Sequence, residues 1–171
     1  MRSIVVFAIL LAILGSAAAY STTLALDLGY FSSGAYESAA SIESWTCAAC
    51  KRTKVTDVKV FSNSIGGIQG FTGYCQTLNA VVVSFRGSSN IQNWLINLST
   101  TRSTYPACSG CSVHTGFYDG YNLVASTVRA AVNTLKAKYR TAKLMVTGHS
   151  LGGALAILAA ADLKQLHGVV D

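Results

Sequence analysis

The sequence predicts an α/β domain: a central sheet containing a buried parallel strand, with helices packed on its faces. Three observations predict it. Residues 55–85 fall into short segments with a period of two or an apolar run. Phe117, Tyr121, Val124, Val128, Val132, Leu135 and Tyr139 recur at intervals of four and three, which lines one helix face. "KLMVTGHSLGGALA" from Lys143 reads as strand, tight turn and small-residue helix without a gap. With 171 residues, 51% of them apolar and 12% charged, the chain suits one globular core rather than disorder.

The first segment reads as a leader. Arg2 precedes the apolar run Ile4–Leu14, and "GSAAAY" offers small residues for cleavage after Ala19. Eleven apolar residues are too few for a membrane span, which takes about 20. Residues 1–19 are therefore expected to be a secretory signal peptide, with residues 20–171 as the domain and no stable transmembrane anchor. Secretion argues against nucleic acid as the partner for a net charge of +6. The clusters Lys51, Arg52, Lys54, Lys59 and Lys136, Lys138, Arg140, Lys143 read as solvated faces.

An oxidising destination also decides the cysteines. Cys47 and Cys50, and Cys108 and Cys111, form two CxxC pairs, for which local disulfides are the better reading. The 57-residue spacer between them is much longer than in compact zinc modules, so no metal is implied. Cys75 is left over and implies a missing partner. Asn97-Leu98-Ser99 is a glycosylation sequon, usable in a eukaryotic secretory protein.

Residues 20–44, rich in Ser and Ala with scattered aromatics, predict an N-terminal helix. "VTDVKVF", "GGIQGFTGYC" and "AVVVSF" predict three strands joined by Asn/Gly turns. "KLMV", apolar on both faces, predicts a central parallel strand flanked on both sides. The segment from Leu151 predicts a close-packing helix. A phosphate loop is excluded because no lysine follows the glycines, and a dinucleotide fingerprint because residue 150 is serine.

Gly148-His149-Ser150-Leu151-Gly152 is a GxSxG motif in strand–turn–helix context. Its glycines permit a sharp turn that holds the serine hydroxyl clear of the sheet. The helix that follows points backbone N–H groups at the site, where they can stabilise an oxyanion, Leu151 first. A second constellation, "VVVSFRGSSNIQNWLINL", places a strand before Arg86-Gly87-Ser88.

With "SWTCAAC", "SFRGSSNIQNWLINL", "VHTGFYDGY" and "VTGHSLGGALA" in order, the chain resembles the class 3 (fungal-type) triacylglycerol lipases of the α/β-hydrolase superfamily. The resemblance covers most of residues 25–165. It implies an α/β-hydrolase-like, mostly parallel sheet, cut short after the elbow helix. It implies Ser150 as nucleophile, and Ser88 beside Leu151 as the second oxyanion donor. It implies a lid helix carrying Ile91, Trp94, Leu95 and Leu98, a local Cys47–Cys50 disulfide and no cofactor. Glu37 stands where some members have a cysteine that bridges to the C-terminal region, so that bridge is absent.

The partners of Ser150 are harder to find. The superfamily order is Ser, then Asp or Glu, then His. After Ser150 come only Asp162, His167 and Asp171, and twelve helical residues carry Asp162 about 18 Å from the serine. His149 reads as a packed, hydrogen-bonded core residue, and His114 as structural. The expectation is the N-terminal part of a secreted serine hydrolase acting on a lipid or ester substrate, acylglycerols first, at a lipid–water interface. Two alternatives stay open: a non-catalytic lipid-binding protein, and an esterase for soluble or cell-wall esters such as feruloyl esters.

Overall fold

Ser21 and Ser38 each begin a helix, their hydroxyls accepting from the N–H groups of Leu24 and Ser41. A computed structural model describes residues 21–88, 101–168 and 170. The segment read as a signal peptide, the lid residues Ile91, Trp94, Leu95 and Leu98, and the sequon at Asn97 lie outside the described residues. The N-terminal helical region is two helices, α1 (Thr22–Gly34) and α2 (Ala39–Glu43), followed by a 3₁₀ turn at Ala49–Arg52. The three expected strands are β1 (Val55–Asn63), β2 (Ile68–Cys75) and β3 (Ala80–Phe85). A hairpin of β4 (Arg102–Thr104) and β5 (Ser112–His114) then leads into α3 (Thr115–Lys138), β6 (Lys143–Gly148) and α4 (Leu151–His167).

The main sheet runs β1-β2-β3-β6. It is not the mostly parallel sheet that was expected. β1 pairs with β2 and β2 with β3 antiparallel, and only β3 and β6 are parallel. Chain economy explains the correction. Four residues join β1 to β2 and four join β2 to β3, whereas a parallel return takes a dozen or more. Only β3 to β6 has room for a helical crossover, and α3 lies in it. β6 is parallel as expected, but among the described residues it has β3 as its single neighbour.

Both faces of the sheet are covered. Val81, Val83 and Phe85 of β3 point to a core built with Tyr121, Val124, Val128 and Val132 of α3 and Leu155 and Leu163 of α4. Ala80 and Val82 point the other way, to Phe31, Ile42, Phe71 and Met145. Alternating side chains therefore use both faces of a strand whose six residues are all buried. Cys75 packs in the second core, fully buried and free, and burial pushes its thiol pKa up. Its lack of a partner among the described residues is thus compatible with service as a small apolar side chain. Both CxxC pairs form disulfides, Cys47–Cys50 and Cys108–Cys111.

Polar latches supplement the cores. Asp162 of α4 accepts from Arg129 Nε and Nη2 at 2.7 and 2.8 Å and from Tyr121 Oη at 2.5 Å, joining α3 to α4. Burial and the bond to Asp162 push the Tyr121 phenol far up. At the other end of α3, Asp57 sits at a β1 register shift with φ 52° and accepts from Lys138 Nζ (2.7 Å) and Tyr139 Oη (2.6 Å). The Lys138 bond, then the Tyr139 bond, hold its carboxyl below the usual range.

A lowered folded-state pKa adds stability above the unfolded carboxylate value, and that stability is lost as pH falls through the folded value. Asp57→Asn keeps a residue tolerant of positive φ and removes only the charge. The melting temperature of Asp57→Asn is expected to lie below that of the parent at about pH 6 and to converge with it below about pH 3. A gap that persists unchanged at the lower pH would show that the ion pair is not the cause.

Candidate functional site

The parallel pairing sets Phe85 opposite Gly148, so β3 and β6 end at the same level. Arg86-Gly87-Ser88 and His149-Ser150 leave the sheet side by side. A Cβ placed on Gly87 would lie 2.5 Å from the His149 carbonyl oxygen and 3.3 Å from Ser150 Cβ. This is the carboxyl end of a parallel pair, where open α/β sheets characteristically hold their ligands.

Ser150 occupies the turn between β6 and α4 with φ 57° and ψ −122°. Such a backbone conformation is rare for a non-glycine residue and is held by its surroundings. Here the holding is close packing. A Cβ on Gly148 would meet the Gly152 oxygen at 2.2 Å, and one on Gly152 would meet the Phe85 oxygen at 2.3 Å. Each glycine thus lets the first turn of α4 lie directly on the strand ends, which is the physical content of the GxSxG spacing.

Ser150 is the residue before the first turn of α4, but its side chain makes no cap hydrogen bond there, and the residue is exposed. Its carbonyl accepts from Gly153 N at 2.9 Å, and that of His149 accepts from Gly152 N at 2.9 Å. Leu151, at the first helical position, presents one of the N–H groups that no carbonyl of its own helix can reach. The site therefore offers an exposed hydroxyl beside the positive end of a helix.

A cleft of about 970 Å³ opens beside these residues, lined by Ser88, Thr147, Gly148 and His149 and, across from them, by Leu28, Ser32 and Tyr36. The α1 wall is held by hydroxyls: Ser32 Oγ and Thr147 Oγ1 are 2.9 Å apart, and Ser84 Oγ donates to the Phe31 carbonyl at 3.0 Å. Gln69 Nε2 donates to the Ala35 and Glu37 carbonyls, fixing the turn that carries Tyr36. Tyr36 Oη bonds His149 Nδ1 at 2.9 Å. His149 is hydrogen-bonded as expected, but it is exposed at the cleft rim rather than part of the core.

The structure brings Ser88, His149, Ser150 and Leu151 together. The two other histidines have separate positions: His114 caps α3 by accepting from Phe117 N, and His167 ends α4. Asp162 is committed to Arg129 and Tyr121. Tyr36, Ser32 and Thr147 were not singled out from sequence, because a contact across more than 100 residues leaves no local periodicity. Among the described residues no group of three or more His, Cys, Asp or Glu side chains is placed to hold a metal ion.

Comparison with known proteins bears on the same region. The model of the family described as lipase (class 3) matches residues 82–169, from β3 through α4. Secreted mono- and diacylglycerol lipase 1 of Fusarium solani is 40% identical over 119 residues, which are 68% of this chain and 36% of the relative. A lipase of Rhizomucor miehei is 38% identical over 122 residues, 71% of this chain and 34% of the relative. The solved Rhizomucor miehei triacylglyceride lipase superposes with a TM-score of 0.76 at 31% identity, covering 87% of this chain and 58% of that one. The chain thus spans about a third of the length of the curated relatives it matches.

The elbow packing has a measurable consequence. Gly152→Ala drives a methyl into the Phe85 carbonyl and is expected to cost about 1–3 kcal/mol, as overpacking does. Gly29→Ala, in α1 with nothing within 4 Å of the new methyl, is expected to be neutral or to stabilise by up to about 1 kcal/mol. Denaturant unfolding of both variants checks this; equal effects would contradict the packing account.

Proposed function

The chain belongs to the class 3 lipase family, and on that premise we propose that it carries the nucleophile half of a secreted serine hydrolase that cleaves carboxylic esters of acylglycerols. The observation that carries the reading is Ser150 itself, an exposed hydroxyl in a strained turn at the shared end of β3 and β6. In this mechanism Ser150 Oγ attacks the ester carbonyl and gives its proton to a base. The base protonates the departing alcohol, and water then releases the acid from the acyl-serine. Leu151 N–H and the backbone N–H of Ser88 hold the oxyanion while the carbonyl carbon is tetrahedral.

Histidine and carboxylate partners come, in this proposal, from polypeptide other than the described residues. His149 and His114 are engaged with Tyr36 and the α3 cap, and His167 stands at the far end of α4. Two features support further polypeptide against β6. It has one sheet neighbour among the described residues, and both helices packed on it carry exposed apolar side chains, Leu26 and Tyr30 on α1 and Ile157 and Leu166 on α4. Apolar exposure beside an open strand edge is normally covered.

Residues 1–19 serve as the signal peptide in this reading, and residues 91–98 as the lid over the acyl site. Secretion agrees with the two disulfides and with the name of the Fusarium solani relative, a secreted mono- and diacylglycerol lipase. Among the described residues no helix is long and apolar enough to cross a membrane.

The test uses the protein as secreted by its source. A fluorophosphonate is expected to label Ser150, and emulsified diacylglycerol to be hydrolysed faster than a soluble short-chain ester. Ser150→Ala should abolish labelling and lower kcat by roughly 10⁴-fold or more, with an unchanged melting temperature. Lipid binding without labelling would replace hydrolysis by the non-catalytic reading. A preference for soluble esters would replace the substrate class.

A further inference from the structure

A second cavity lies on the opposite side of the sheet from the α1 wall, between the β1–β2 edge and α3. It has a volume of about 360 Å³, inside the range of small-ligand sites, roughly 300–1,000 Å³. Its origin is local. The register shift between Thr56 and Lys59 puts an irregularity in β1, and small Ala131 and Thr134 face it from α3. Bulges of this kind often re-aim side chains next to binding sites.

The lining divides by chemistry. Ala131 and Leu135 are aliphatic, and the Thr134 hydroxyl is already spent on the Ala130 carbonyl at 3.0 Å. Lys59 and Thr72 are cross-strand partners, and both line the cavity. Thr72 is fully buried, and its hydroxyl has no hydrogen-bond partner among the described residues. Native structures rarely leave such a group unpaired. Lys59 makes no ion pair among the described residues. The other charges at the cavity cancel: Asp57 is held by Lys138 at 2.7 Å and by Tyr139 Oη at 2.6 Å. What remains is one cation and one unpaired hydroxyl beside an aliphatic chamber.

We propose that this cavity binds a small aliphatic carboxylate, with the carboxylate on Lys59 and Thr72 and the alkyl chain against Ala131 and Leu135. A phosphate would bring more charge than one cation balances and no apolar part to fill the chamber. A neutral alcohol of the same length would leave Lys59 unused. The site is separate from the Ser150 cleft and does not depend on the hydrolytic reading. An aliphatic acid is nonetheless the class of product that ester hydrolysis releases, so occupancy would couple product concentration to the fold.

Octanoate, below its micellar concentration, is the probe, titrated into the secreted protein carrying ¹³C-methyl alanine and threonine. Saturable shifts are expected at Ala131, Thr72 and Thr134. Lys59→Gln should weaken binding roughly tenfold, as loss of a charge-assisted contact does. Thr72→Val, which keeps the side-chain shape, should weaken it severalfold, and octanol should bind at least severalfold more weakly than octanoate. No saturable shift at these methyls, shifts confined to Ala25 in the Ser150 cleft, or equal affinity for octanol would each overturn the proposal. So would a folded Lys59→Gln variant that binds as tightly as the parent. Hydrolytic activity enters none of these readouts, so their failure leaves the reading of Ser150 untouched.

Discussion

The parallel pairing of β3 with β6, with Phe85 opposite Gly148, is the constraint on which the rest of the site depends. It brings two loops to one level, so that Gly87 touches the turn holding Ser150. It also fixes where α4 begins, because Gly152 rests on the Phe85 carbonyl. A one-residue slip would exchange the faces of β6 and move Leu144 out of one core and Met145 out of the other. Register, elbow and helix start are therefore one arrangement, and the burial on both faces holds it.

The two faces contribute differently. On one, α3 and α4 cover the sheet with a large apolar core and are joined to each other through Asp162, Arg129 and Tyr121. On the other, α1 approaches β3 and β6 through hydroxyls as well as apolar contacts: Ser84 to the Phe31 carbonyl, Ser32 beside Thr147. Those short polar side chains let the α1 backbone lie close to the strands while satisfying groups that would otherwise be buried unpaired. The cleft beside Ser150 has α1 as a wall, so its shape follows from these bonds.

Much of this was legible in the sequence, for identifiable reasons. The strands alternate or run apolar, the long helix repeats every three to four residues, and GxSxG demands a backbone that glycine supplies. Strand direction was misjudged, although the signal was present. "SIGG" and "QTLN" are four-residue links, too short for anything but antiparallel returns, whereas the mostly parallel sheet is what the resemblance implies. Tyr36 and His149 meet across 113 residues, and Asp162 finds Arg129 on another helix. Such pairings depend on the assembled layers and leave no mark on local pattern. His149 reads as a core residue on the expectation that the elbow exposing Ser150 turns its neighbour elsewhere, but the turn carries it to the rim.

Among the described residues, four non-glycine residues have positive φ: Trp45, Asp57, Asn79 and Ser150. Strain of this kind persists where surroundings over-determine it, and the four differ in what does so. Asn79 ends the link before β3, a position that suits asparagine, and its side chain accepts from Tyr74 and donates to the Thr141 carbonyl. Trp45 is fixed by its ring against Phe71 and by its indole N–H on the Thr53 carbonyl at 2.7 Å. Those two are accounted for by turn chemistry and packing. Asp57 and Ser150 instead border open volume, the cavity under α3 and the strand ends beside the cleft. Asp57 is held by a pair of donors, whereas Ser150 is held by backbone contacts that leave its hydroxyl unused as a cap. A side chain kept in a costly conformation with its reactive group uncommitted is the arrangement expected where chemistry, rather than folding, decides the residue.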